Sequence, residues 1–104
     1  MITQQTIEKW LTGRLGDWFE DVEVLIDREE ITILGRLSDE GLDDETSRAG
    51  RITRFREQTR EQRIGIAREL EHATGRKVAW GVRCGPDERV FTRLSVPVMT
   101  RLRQ

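Results

Sequence analysis

His72 and Cys84 are the only histidine and the only cysteine in the 104 residues. Histidine offers a general base or a metal-binding nitrogen, and cysteine a nucleophilic or metal-binding thiolate. A structural zinc site takes four such ligands, and this pair cannot complete one. His72 falls in the last turn of a helical pattern, where partial positive charge suits the negative end of the macrodipole. Cys84 alternates with Trp80 and Val82 on the apolar side of a strand pattern, and a thiol in apolar surroundings stays protonated and unreactive. The carboxylates Asp39, Glu40, Asp43, Asp44 and Glu45 crowd one loop. They lack the central glycine and terminal glutamate of a calcium loop, so capping and solvation account for them. "GRLG", residues 13–16, matches the GxxG of KH nucleic-acid modules, but only "DWFED" separates it from the next strand. That is too little room for the second helix of such a module. The inventory contains no reactive constellation, and no enzyme activity, cofactor or metal is expected.

Arginine carries the remaining chemistry. "RITRFREQTREQRIGIAREL", residues 51–70, holds six arginines and no lysine. The net charge of −1 conceals two opposed segments. Residues 17–45 hold twelve acids against Arg28 and Arg36, whereas residues 46–104 hold fourteen bases against six acids. A guanidinium fork binds carboxylates or phosphates bidentately, although coding bias also enriches arginine. The segments can neutralise each other within the fold or across a symmetric dimer, or the long helix can hold phosphates. Glu57, Glu61, Glu69 and Glu71 are interspersed along that helix and would repel nucleic acid, which favours the first reading.

Six elements position these residues. Ile7, Trp10, Leu11, Leu15 and Trp18 recur at helical spacing, with Thr3 as cap; Gly13 and Gly16 weaken the second half. "DVEVLIDREEITILGRL" reads as a hairpin in which Ile26 pairs with Ile31 and Val24 with Ile33. Asp43 or Asp44 caps a long helix marked by Ile52, Phe55, Thr59, Ile66, Leu70 and Ala73, with a gap after Thr59 and an end at Gly75. Gly50 is a point where its first turn could separate. Val78, Trp80, Val82 and Cys84 face inward on a third strand, "GPDE" supplies a turn, and Val90, Thr92, Leu94 and Val96 face inward on a fourth, which Pro97 ends. The order α-β-β-α-β-β predicts an α+β two-layer sandwich: a mostly antiparallel four-stranded sheet with both helices on one face. Residues 1–97 form one domain, and residues 98–104 a tail or the start of a further element.

The sheet face turned away from the helices then carries Leu25, Leu34 and Phe91, interleaved with Arg36, Arg83 and Arg93. A solvated face is normally more polar. Leu25, Leu34 and Phe91 are accordingly the expected association surface, with sheet-to-sheet dimerisation its first use. Arg36, Arg83, Arg93 and Ser95 are the candidate contacts for the alternative partner, nucleic acid.

"DVEVLIDREEITILGRLSDE … IARELEHATGRKVAWGV" resembles the BON domain, through Ile33, Gly35, Ile66, Ala67, Gly75 and Val78. The resemblance covers roughly residues 5–84 and implies attachment to phospholipid. The chain departs from that family in its longer second helix and in lacking an export signal, and no membrane partner is expected. "RLSVPVMTRLRQ" resembles the opening of a ribbon-helix-helix DNA-binding unit, which implies that Arg93 and Ser95 read the major groove. One cysteine and no secretory pattern suit the cytoplasm. The sequence thus points to a non-catalytic, dimeric interaction domain, as the N-terminal part of a DNA-binding regulator, with a nucleic-acid-binding module as the alternative.

Overall fold

The structure, a computed structural model, describes residues 3–91. Helix α1 (Gln4–Leu15) opens where the Thr3 hydroxyl accepts the Thr6 N–H at 3.1 Å. It runs through Gly13 and stops at Gly16, whose φ of 58° lies in the left-handed region that favours glycine. Ile7, Leu11 and Leu15 are buried, while Trp10 is on the exposed side. Trp18 therefore lies beyond the helix, not on it, and packs edge-on to Phe55 at 5.7 Å between centroids.

Strands β1 (Asp21–Ile26) and β2 (Glu30–Leu37) form an antiparallel hairpin in which Ile26 pairs with Ile31 and Val24 with Ile33. The Asp27 carboxylate pins its turn by accepting the N–H groups of Glu29 and Glu30. Helix α2 (Glu45–Thr74) starts at Asp44, whose carboxylate accepts the Ser47 N–H at 2.7 Å. That bond lowers the Asp44 pKa. The helix passes through the exposed Gly50 without a break and ends at Gly75, which takes φ 73° and donates its N–H to the Glu71 carbonyl.

Strands β3 (Lys77–Cys84) and β4 (Asp87–Phe91) complete a sheet of order β1-β2-β3-β4. The β2–β3 pair is parallel and the outer two pairs are antiparallel. A parallel neighbour needs a long crossover, and α2 provides it. The fold is an α+β two-layer sandwich of order α-β-β-α-β-β. One face of the sheet contributes Val24, Ile31, Ile33, Leu37, Val78, Trp80, Val82, Cys84 and Phe91 to a single core with the buried residues of both helices. None of the described helices is long and apolar enough to cross a membrane.

Gly35 lies on this helix-facing side, beneath the Phe19 ring. A Cβ at Gly35 would sit 2.4 Å from Phe19 Cγ and Cδ1, so the ring can lie on the strand only where no side chain stands. Gly35→Ala is expected to destabilise the fold by roughly 1–3 kcal/mol through overpacking, read as a lower urea midpoint at unchanged slope.

Candidate functional site

Strand alternation assigns the opposite face. Leu25 and Val90 are its large apolar residues in solvent, 49% and 62% exposed. Leu34 lies between them on β2 and is buried, 7% exposed. Gly81 is what lets these side chains meet across β3. A Cβ there would lie 2.9 Å from Leu34 Cδ1 and 3.4 Å from Val90 Cγ2. Because Leu25 is opposite Thr32, and Leu34 opposite Gly81, which is opposite Val90, the apolar residues form a diagonal stripe. It spans four strands, a width of roughly 14 Å at ordinary strand spacing.

Arg36 and Arg83 stand on the same face at one end of the stripe, and acids from neighbouring strands engage both. Arg36 Nη2 is 3.6 Å from Asp21 Oδ2. Arg83 donates through Nε to Glu88 Oε1 at 2.8 Å, and its Nη1 is 3.7 Å from Glu23 Oε1. The hydrogen bond to Glu88 raises the Arg83 pKa. Arg93, Ser95 and the rest of the C-terminal segment lie outside the described residues.

Phe91 corrects the expected sorting of β4. It pairs with Trp80 on the helix-facing side and is only 5% exposed, while Val90, expected inside, points outward. The cause is parity. The β3–β4 turn consists of Gly85 and Pro86, so Cys84 pairs with Asp87, and an even-length turn always sets even-numbered β3 residues opposite odd-numbered β4 residues. The apolar character of Val90 suggested the opposite phase, which needs an odd turn or a bulge. Asp87, on the inner side, receives the Arg48 Nε–H at 2.8 Å. This largely shielded pair fastens the start of α2 to β4 and raises the Arg48 pKa. The apolar residues of the outer face are accordingly Leu25, Leu34 and Val90, and Phe91, expected among them, belongs to the core.

A second cluster escaped the sequence reading. The gap in the α2 stripe between Thr59 and Ile66 is filled by Arg63, which is 2% exposed. Its spacing, four residues after Thr59 and three before Ile66, was the available signal; arginine at such a position normally lies outside. Arg63 Nε donates to Thr59 Oγ1 at 2.9 Å and Nη2 to the Arg56 carbonyl at 2.7 Å. Nη1 is buried and has no hydrogen-bond partner among the described residues. Burial, then the neighbouring charges of Arg56 and Arg60, push the Arg63 pKa down to about 10. The Phe91 ring lies beneath, 5.3 Å from Arg63 Cζ and 4.4 Å from Arg56 Cζ.

The other candidate groups stay apart. His72 is exposed in the last turn of α2. The Cys84 thiol is fully buried, with Sγ 4.0 Å from the Ser38 carbonyl oxygen, and burial pushes its pKa up. Ala73, expected on the buried stripe, is exposed, and Ala67 takes an inner place. Among the described residues, no three His, Cys, Asp or Glu side chains converge as a metal would require.

Comparison with known proteins adds a lineage. The chain is 48% identical over 101 residues to the uncharacterized protein Rv1265 of Mycobacterium tuberculosis and to the uncharacterized protein Mb1296 of Mycobacterium bovis. The match covers 92% of this chain and 45% of each relative, so the chain spans a little under half the length of the relatives it matches. No solved structure matches it significantly. The family described as Rv1265-like protein, N-terminal domain, matches residues 5–90, nearly the whole of the described α-β-β-α-β-β unit, and the chain belongs to that family.

Proposed function

We propose that this is a non-catalytic interaction domain that self-associates through the outer sheet face. The observation that carries the reading is the stripe Leu25–Leu34–Val90, uncovered by any described helix and closed over Gly81. Large apolar side chains left exposed on an uncovered sheet face, here Leu25 and Val90 flanking the buried Leu34, are a feature of association sites. The stripe also suits a second copy of itself. A two-fold axis near Leu34 sets Leu25 of one copy against Val90 of the other, the self-complementary contact that an isologous dimer requires. The rim arginines Arg36 and Arg83 are already engaged within each copy by Asp21, Glu23 and Glu88, so apposing two such faces brings together no block of unpaired positive charge. The same acids weigh against nucleic acid on this face, since they would repel phosphate around Arg36 and Arg83. In the longer relatives, such a domain would hold two copies of the remaining half together, an arrangement that suits a dimeric DNA-binding regulator.

Leu25→Glu combined with Val90→Glu tests the reading. Sedimentation equilibrium is expected to show a dimer for the parent chain and a monomer for the double variant. Its melting temperature should stay close to that of the unassociated parent domain, because both side chains are exposed in the single chain. A parent chain that is monomeric at millimolar concentration overturns the proposal.

A further inference from the structure

The arginine cluster on α2 is independent of the sheet face and asks a different question: what balances Arg63? A buried guanidinium is normally paired with a carboxylate, because an isolated charge loses its hydration without return. Among the described residues, Arg63 has neutral partners for Nε and Nη2 and none for Nη1. It lines a cleft of about 300 Å³ with Thr53, Arg56, Glu57 and Arg60. Glu57 is the single acid in that lining, against three arginines, and it forms no ion pair with them among the described contacts. Three arginines therefore line the cleft, two of them over the Phe91 ring, with an excess of two positive charges in the lining.

We propose that the cleft formed by Arg56, Arg60 and Arg63 binds a phosphate-type oxyanion. A dianion matches the two excess charges, and guanidinium forks give it paired, charge-assisted hydrogen bonds. The exposed Arg56 and Arg60 meet the anion first. Arg63 Nη1 is shut off from solvent, so it joins as the side chains above it shift. Nε and Nη2 are already held by Thr59 and the Arg56 carbonyl, which fixes the plane of the fork in advance. An anion there supplies what the site lacks, a counter-charge within reach of all three groups. The low pKa of Arg63, caused first by burial and then by Arg56 and Arg60, is consistent with positive charge left unbalanced.

Thermal unfolding of the full chain in sodium phosphate, against sodium chloride of equal ionic strength, tests this. The probe is inorganic phosphate itself. A ligand at about ten times its Kd is expected to raise the melting temperature by roughly 7 °C in a domain of this size. Phosphate also stabilises proteins generally by exclusion from their surface, so the Arg56→Gln/Arg60→Gln double variant, altered only at exposed positions, supplies the control. The phosphate-specific rise should disappear there and in Arg63→Met. Nitrogen-detected spectra should show the Arg63 Nε–H resonance moving saturably with phosphate in the parent chain and not in the double variant. An equal rise in parent and double variant, or an Arg63 resonance that does not move, overturns the proposal. Should Arg63→Met fail to fold, the double variant and the resonance still decide it.

Discussion

Trp80→Ala is expected to cost about 3–5 kcal/mol of unfolding free energy, the range for removing a fully buried large aromatic side chain. For a domain of this length, that corresponds to a fall in melting temperature on the order of 20 °C. Trp80 has no exposed surface and is the largest of the fully buried side chains. It stands on a central strand, opposite Ile33 on one side and Phe91 on the other, with the Trp18 ring 6.3 Å away. Trp18 in turn meets Phe55 of α2. The Trp80 ring thus links the sheet, the α1–β1 connection and the long helix, and no neighbour can collapse into the space without leaving its own partner. Its Nε1 is buried without an acceptor among the described residues. Trp80→Phe removes that unsatisfied donor as well as volume, so it should cost less, roughly 1–2 kcal/mol. Urea denaturation followed by far-UV circular dichroism checks both values. A cost for alanine below about 1 kcal/mol would contradict this placement of the ring.

The second large effect separates two adjacent residues. Phe91→Glu should destabilise the domain by about 3 kcal/mol or more, because it removes a buried ring and places a carboxylate where only 5% of the residue meets solvent. Val90→Glu, one residue earlier and 62% exposed, should change monomer stability by no more than about 0.5 kcal/mol. Arg56 and Arg63 over the Phe91 ring give the new carboxylate a partner, which tempers the first cost without cancelling it, since the ring is lost as packing. The contrast is sharp because sequence neighbours on a strand face opposite sides. Had β4 the phase suggested by its apolar residues, the two results would exchange places. Denaturation midpoints of the two variants, measured at low protein concentration, decide the phase directly.

Most of the scaffold was legible because its signals are local. Thr3 and Asp44 cap the following helix through bonds to residues three positions away. Gly75 ends α2 because a left-handed backbone conformation costs glycine least. The β1–β2 register could be written from alternation alone, since the Asp27 turn and the inward valines and isoleucines agree. Leu25 could be assigned to the outer face for the same reason. By contrast, a continuous stripe through Trp10 and Trp18 overran the end of α1, where the backbone at Gly16 outweighs side-chain periodicity.

What the amino-acid order determined by itself, then, was each element, its ends and the hairpin of the first two strands, because those depend on contacts a few residues apart. The tertiary structure alone decided the phase of β4, through the length of one turn, and the burial of Arg63, through the ring that β4 brings beneath α2. Alternation states that two faces exist, but only pairing with a distant strand says which one meets the helices. Likewise, a charged residue within an apolar stripe acquires its meaning only when the groups around it, and the counter-charge they do not supply, are assembled in space.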